Sequence, residues 1–161
     1  MPQGARIIID NVFYHIIVRG NQRQKIFKEK DDYTEYLLRL RMYKKRHGFK
    51  IYGFCLMPNH VHILGEINEK VLLAKFMHAL NRSYTAYFNT KYNKVGHLWQ
   101  GRFISRIISH DKYAIECINY IEQNPVRANI VAVIYEYPWS SYGERILNAP
   151  KCLKILDAPE L

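Results

Sequence analysis

Lys50–Ile67 reads KIYGFCLMPNHVHILGEI, and its two β-rich runs, Lys50–Met57 and His60–Ile67, meet at Pro58-Asn59. Runs dense in β-branched and aromatic residues around a Pro-Asn pair predict two strands joined by a tight connection and paired antiparallel. Within the second strand His60 and His62 are two apart, which points both imidazoles to one face and Val61 and Ile63 to the other. Their Cα atoms then lie about 6.5 to 7 Å apart, a span that two imidazoles can bridge to one metal ion. The spacing alone says little. Seven histidines in 161 residues give about 0.3 such pairs by chance, and two partly exposed structural histidines are the plainer alternative.

The flanking sequence supplies the rest of a sheet. FYHIIVR (Phe13–Arg19), closed by Gly20-Asn21, reads as a first strand. From Asp32, the residues Tyr33, Tyr36, Leu37, Leu40 and Tyr43 have helical spacing, with Asp32 and Glu35 as a capping box and Gly48 as the stop. Downstream, Asn68 can cap a second helix whose apolar positions Leu72, Leu73, Phe76, Met77 and Leu80 continue toward Tyr84 and Tyr87. A basic loop, KYNKVGHLWQG, then leads to a strand over Arg102–Ile108 and a third helix from Asp111 to about Asn124, where Pro125 forbids easy continuation. The order β-α-β-β-α-β-α predicts an α+β fold, its first six elements forming the ferredoxin-like split βαβ arrangement. That arrangement places two helices on one face of a four-stranded antiparallel sheet and leaves the other for a third helix or a ligand. The whole of 1–161 reads as one domain, with 126–161, which contains EYPWSSYGERI, as a packed extension.

Composition narrows the function. Lys plus Arg exceed Asp plus Glu by 24 to 14, a net charge of +10, and thirteen tyrosines accompany them. That charge is the footprint of a polyphosphate partner, and flat rings are what base stacking needs. Three scattered cysteines, Cys55, Cys117 and Cys152, without a CxxC, point to neither a disulfide framework nor a zinc ribbon and fit a reducing cytoplasm. No run has the length of a membrane span, and the N-terminal MPQGARIIIDN has no secretory pattern, so export and membrane insertion are not expected.

Tyr120 and Asn124, four apart on the third helix, lie about 40° apart around its axis. Tyr113 and Cys117 share that face, while Ala114, Ile118 and Ile121 form the expected buried stripe and Glu116, Asn119 and Gln123 the solvent side. A tyrosine at the border of a core is more often structural than reactive. For DNA contact the candidates are Lys91, Lys94, His97 and Trp99 in the basic loop, and Arg102 and Arg106 alternating on the next strand. Arg82 and Tyr84 are weaker candidates, and Arg127 reads as a helix-end charge.

The stretches LMPNHVHIL, GHLWQGRF, YIEQNPVRA and YPWSSY occur in that order. Together, and over nearly the whole chain from FYHIIVRGN to PWSSY, they resemble the single-tyrosine transposases with a His-hydrophobic-His (HUH) motif, most of all the REP-associated tyrosine transposase group. The resemblance implies that His60 and His62 are metal ligands, that Tyr120 is the nucleophile, and that Asn124 stands where many relatives carry a third ligand, Gln. It further implies a divalent ion, Mg²⁺ or Mn²⁺, single-stranded or hairpin DNA as partner, and a 5′-phosphotyrosine intermediate. Handling two DNA ends together makes a homodimer the expectation, and chromosomal DNA places the protein in the cytoplasm with the nucleoid.

The chemistry asks for such parts, because a tyrosine hydroxyl with a pKa near 10 is a poor nucleophile at neutral pH and an anionic phosphodiester needs its charge neutralised. A two-histidine site leaves positions open for phosphate oxygens and should accept Mn²⁺ readily. Two other readings use the same fold. A non-catalytic nucleic-acid binder, either a domesticated transposase or an RNA-recognition module with the same element order, lacks its aromatic signature where HVHIL stands. A hydrolase using activated water finds no HxHxDH or HExxH array.

Overall fold

The computed structural model describes residues 12–67, 72–109, 111–146 and 154–157. Strand β1 (Phe13–Arg19) leads through a short turn to α1 (Lys30–His47). The hairpin β2 (Lys50–Met57) and β3 (His60–Glu66) follows, then α2 (Leu72–Tyr92), β4 (Ile104–Ile108) and α3 (Asp111–Glu122). The four strands form one antiparallel sheet in the order β2-β3-β1-β4, the ferredoxin-like arrangement.

Alternation along the strands divides the side chains between two cores. Tyr14, Ile16 and Val18 of β1 and Val61 and Ile63 of β3 point toward α1 and α2. There they pack with Tyr36, Leu40, Phe76, Leu80 and Tyr84. The other face carries Cys55, Met57 and Leu64, which pack beneath Ala114, Cys117 and Ile121 of α3. Gly65 is required by close approach, since a Cβ there would stand 2.2 Å from the Phe49 ring.

Several element boundaries differ from expectation, each for a local reason. Helix α1 starts at Lys30, and its capping box is Glu29 with Asp32 rather than Asp32 with Glu35. Asp32 is fully buried and takes the Lys28 amide at 2.8 Å and the Glu29 amide at 3.1 Å, capping from inside the first turn. Gly48 does end the helix, in the left-handed region at φ 65°. The cap expected at Asn68 and the thiol of Cys152 lie outside the described residues.

Helix α2 runs to Tyr92, so Lys91 stands in its last turn and not in the loop. The buried stripe extends to Phe88, and Tyr87, Lys91 and Tyr92 all donate to the Asp32 carboxylate, which ties the end of α2 to the start of α1. Strand β4 begins at Ile104, because the end of β1 pairs instead with the preceding loop, through the Gly20–Trp99 bridge and a 2.8 Å bond from the Gln100 amide to the Arg19 carbonyl. Helix α3 stops at Glu122. Pro125 has no N–H to donate to the Ile121 carbonyl four residues back, and Asn124–Arg127 form a separate turn, α4.

On α3, Cys117 and Glu122 are buried, whereas the expected stripe member Ile118 is half-buried. The described part of 126–161 lies along the outer edge of β2. The Leu56 amide donates to the Trp139 carbonyl, the Ser141 amide to the Phe54 carbonyl, and the Asp157 amide to the Ile51 carbonyl. A helix over Tyr142–Arg145, α5, follows the WSSY stretch. Its Arg145, with Ser141, contacts the buried Glu122 carboxylate, Ser141 at 2.5 Å and Arg145 at 3.2 Å, and so fixes α3 to the tail.

Candidate tyrosine and histidine site

The sheet register brings the site together. His62 on β3 stands opposite Ile17, two pairs along from the Leu64–His15 pair, and His15 is in turn opposite Arg106 on β4. His15 and His62 are therefore diagonal neighbours on the face that α3 covers. Their nitrogens, His15 Nε2 and His62 Nδ1, are 2.9 Å apart, and the rings stack at 5.2 Å with both side chains buried. The His60 ring centroid is 4.9 Å from that of His62, and His60 Nδ1 donates to the Asn59 side-chain oxygen at 2.6 Å.

Tyr120, projecting from α3, faces these histidines across the cleft. Its ring centroid is 6.1 Å from His15 and 6.3 Å from His62, and the residue is 42% exposed. The Arg127 guanidinium lies over the Tyr120 ring at 4.3 Å. The cleft, of about 550 Å³, is lined by His15, Arg19, His62, Arg106, Tyr113 and Tyr120 among others.

The electrostatics keep the imidazoles neutral. Burial, with the Arg106 charge beside it, lowers His15 to about 4, and burial with Arg19 lowers His60 to about 4. His62 falls to about 3, through burial first and then the neighbouring His60, His15 and Arg19. Neutral imidazoles are what metal ligation requires. With one nitrogen of His60 and one of His62 already engaged, each ring keeps its Nε2 for a ligand. Among the described residues no cluster of three or more His, Cys, Asp or Glu is arranged to hold a metal ion. The donor set thus fits an ion that keeps several positions for water or phosphate oxygen.

The other expected residues divide between this cleft and the far end of α2. Arg106 belongs to the cleft. The Asn124 amide nitrogen donates to the carbonyls of Tyr120 at 3.1 Å and Ile121 at 3.2 Å, so its side chain caps the end of α3. Lys91 is ion-paired with Asp32 at 2.8 Å and also with Glu29. Lys94, His97 and Arg102 are exposed along the loop, and half-buried Trp99 donates its indole N–H to the Asn81 carbonyl at 3.2 Å. His15 and Arg19 were missed from the sequence. The signal for both was in FYHIIVR, where they alternate on one strand face as His60 and His62 do.

The profile of the family described as Transposase IS200 like matches residues 8–124, a span that holds His15, both histidines of the HVH stretch, Tyr120 and Asn124. The chain belongs to the IS200-like transposase family. Among related proteins of this IS200-like transposase is one from Haemophilus influenzae (strain ATCC 51907 / DSM 11121 / KW20 / Rd), assigned as a REP-associated tyrosine transposase. It is 27% identical over 124 residues, covering 68% of this chain and 70% of that protein. This relative carries the likeness to the REP-associated group that the motifs suggest.

The fold of this transposase is that of a REP-associated tyrosine transposase solved bound to a REP hairpin. The two agree with a TM-score of 0.75 at 19% identity, over 99% of this chain and 93% of that one. A transposase from Deinococcus radiodurans R1 agrees less closely, with a TM-score of 0.50 at 19% identity over 76% of this chain and 97% of that one. No helix among the described residues of the IS200-like chain is long and apolar enough to cross a membrane.

Proposed function

We propose that this transposase is a metal-dependent single-strand DNA endonuclease and strand transferase in which Tyr120 is the nucleophile. The observation that carries the reading is the placement of a partly exposed Tyr120 ring 6.1 and 6.3 Å from two neutral, buried histidines, beside Arg106 and Arg127. In the reaction the Tyr120 hydroxyl gives up its proton as its oxygen forms a bond to phosphorus, the bond from phosphorus to the 3′ oxygen breaks, and the leaving oxygen takes up one proton to become a 3′-hydroxyl, so that no net proton is gained or lost. The phosphoester energy is kept in the 5′-phosphotyrosine, and attack by a 3′-hydroxyl reverses the step and joins strands.

A divalent ion, Mg²⁺ or Mn²⁺, would be held through His60 and His62, and would supply charge neutralisation at the attacked phosphate. His15 holds the His62 ring in one orientation, and Asn124 fixes the last turn of α3 beneath Tyr120. Arg106 and Arg19, lining the cleft, and Arg127, over the Tyr120 ring, place phosphate oxygens by charge. Lys94, His97, Trp99 and Arg102 contact DNA farther along, whereas Lys91 acts through the Asp32 network. The partner is single-stranded or hairpin DNA, as the solved neighbour's hairpin suggests, in the cytoplasm at the nucleoid, with two ends brought together by a homodimer.

The test is a labelled strand incubated with the protein and Mn²⁺ or Mg²⁺. A denaturant-resistant adduct that maps to Tyr120 and carries a label placed 3′ of the cut is expected. Retention of the 5′ label instead, or cutting by Tyr120→Phe, defeats the nucleophile assignment. The RNA-recognition alternative would need an open sheet face, and here α3 lies over β2 and β3.

A further inference from the structure

A tyrosine cannot bond to phosphorus without giving up its hydroxyl proton, and the side chains of the cleft decide where that proton goes. Arg19 and Arg106 are donors only. With His62 offering Nε2 to a metal, its Nδ1 proton goes to His15 Nε2, which leaves the neutral His15 ring a protonated Nδ1 and no acceptor. Burial pushes the Cys117 thiol up to about 11, so it keeps its own proton at neutral pH. Ser109 and Tyr113 offer hydroxyls, which carry no charge to draw a proton. Glu116 remains, and among the described residues it is the one acid that lines the cleft.

Its position suits the task. Glu116 stands four residues before Tyr120 on α3, one turn back and about 40° around the axis. Side chains at that spacing are neighbours, with Cβ atoms about 5–6 Å apart. Helical side chains also lean toward the N-terminus, which carries the long tyrosine back over the turn that bears Glu116. Both residues are exposed, and both line the same cleft. Among the described residues Glu116 joins none of the ion pairs, whereas Glu122, farther along the same helix, is held by Arg145 and Ser141.

A carboxylate in a cleft that receives a phosphodiester repels it, so Glu116 works against DNA affinity. Nor does it complete a metal site, because no described trio of His, Cys, Asp or Glu is arranged around one ion. We propose that Glu116 is the general base of cleavage. Its carboxylate takes the Tyr120 proton as the Tyr120 oxygen bonds to phosphorus, when the phenolic proton becomes acidic. The 3′ oxygen, leaving on the opposite side of the phosphorus, takes its proton from solvent. In strand joining the protonated Glu116 returns a proton to the Tyr120 oxygen as its bond to phosphorus breaks, and the attacking 3′-hydroxyl releases its own to solvent. This rests on the cleavage reading above for the nucleophile, and on the lining of the cleft for the base.

Rapid-quench measurement of the adduct, with a labelled single strand and Mn²⁺, tests it. Glu116→Gln should form the Tyr120 adduct about 10²-fold more slowly or worse, the usual contribution of a positioned base. Joining of a 3′-hydroxyl strand to the isolated adduct should slow by a similar factor, since one group serves both directions. Single-strand affinity should hold or rise, and Mn²⁺ affinity in calorimetry should not change. The melting temperature should not move, because the side chain is exposed. Formate added to Glu116→Ala should restore the rate in proportion to its concentration and leave Tyr120→Phe inactive.

An adduct formed as fast by Glu116→Gln as by wild type overturns the proposal. So does a loss of Mn²⁺ affinity in that variant, which would make the carboxylate a metal ligand, or a slow Glu116→Ala that formate does not quicken. These outcomes leave the cleavage reading standing, because the wild-type adduct still maps to Tyr120. A wild type that forms no adduct at all sinks that reading and the base with it.

Discussion

His15 Nε2 lies 2.9 Å from His62 Nδ1, between two buried rings on neighbouring strands. If His62 offers Nε2 to a metal, its Nδ1 proton is donated to His15, the arrangement by which an outer residue fixes a ligand's tautomer and orientation. His15→Ala should weaken Mn²⁺ binding by about 10- to 100-fold in calorimetry. His15→Gln, which can still accept that proton, should recover most of the loss. Equal Mn²⁺ affinity in wild type and His15→Ala would show that the contact is packing only.

His60→Ala and His62→Ala should each remove metal-dependent cleavage while leaving single-strand binding within a few-fold. Both side chains point away from the Val61 and Ile63 core. Asn124→Ala should cost less cleavage than either, and should lower the melting temperature, since its amide caps two carbonyls of α3. A far-ultraviolet spectrum of an unfolded chain for either histidine variant would restore the structural reading of the pair.

Acid should destabilise the protein through the three imidazoles. Each is near 6.5 in the unfolded chain and is lowered to about 4, 4 and 3 for His15, His60 and His62 when folded. Below pH 6.5 the unfolded state binds protons that the folded state refuses, so stability falls with falling pH until the folded values are reached. Urea unfolding at pH 7.5, 6 and 5 should show a progressive decline, and the same series for a His15→Asn/His60→Asn/His62→Asn variant should be flatter. Parallel slopes for the two proteins would place the acid sensitivity elsewhere.

Ser141 accepts the Phe54 amide at 3.0 Å and donates to Glu122. Ser141→Ala leaves a buried amide and a carboxylate oxygen with fewer partners, a loss of about 1–3 kcal/mol in urea unfolding. Cleavage should fall as well, beyond what Asn124→Ala causes, because α3 loses its hold on the tail. A variant as stable and active as wild type would mean that Glu122 is secured by Arg145 alone.

The α+β order and the strand faces were legible because they follow from local periodicity. Val61 and Ile63 pack on one side and His62 on the other, as alternation requires. The boundaries were less legible where a distant partner decides them. Nothing near Asp32 announces that Tyr87, Lys91 and Tyr92, more than fifty residues away, will donate to it, so the capping box and the end of α2 were both misplaced. His15 was overlooked for the same reason, since its significance lies in the antiparallel register of β1 against β3 and not in its own neighbours. Tyr120 and the paired histidines were singled out because several motifs agreed in order across the chain.

The clasp of Glu122 by Ser141 and Arg145 also has a meaning in time. A protein emerges from the ribosome from its N-terminus, and the sheet residues and α3 are all made before residue 145 appears. Until then the carboxylate of Glu122 has no Arg145 to meet and no Ser141 to donate to it, so the helix bearing Tyr120 has only its packing on the sheet, through Ala114, Cys117 and Ile121, to hold it. A chain cut short before that point would keep this packing and lose the clasp, so the order of synthesis makes the fastening of α3 the last step in building the face that bears His62 and Tyr120.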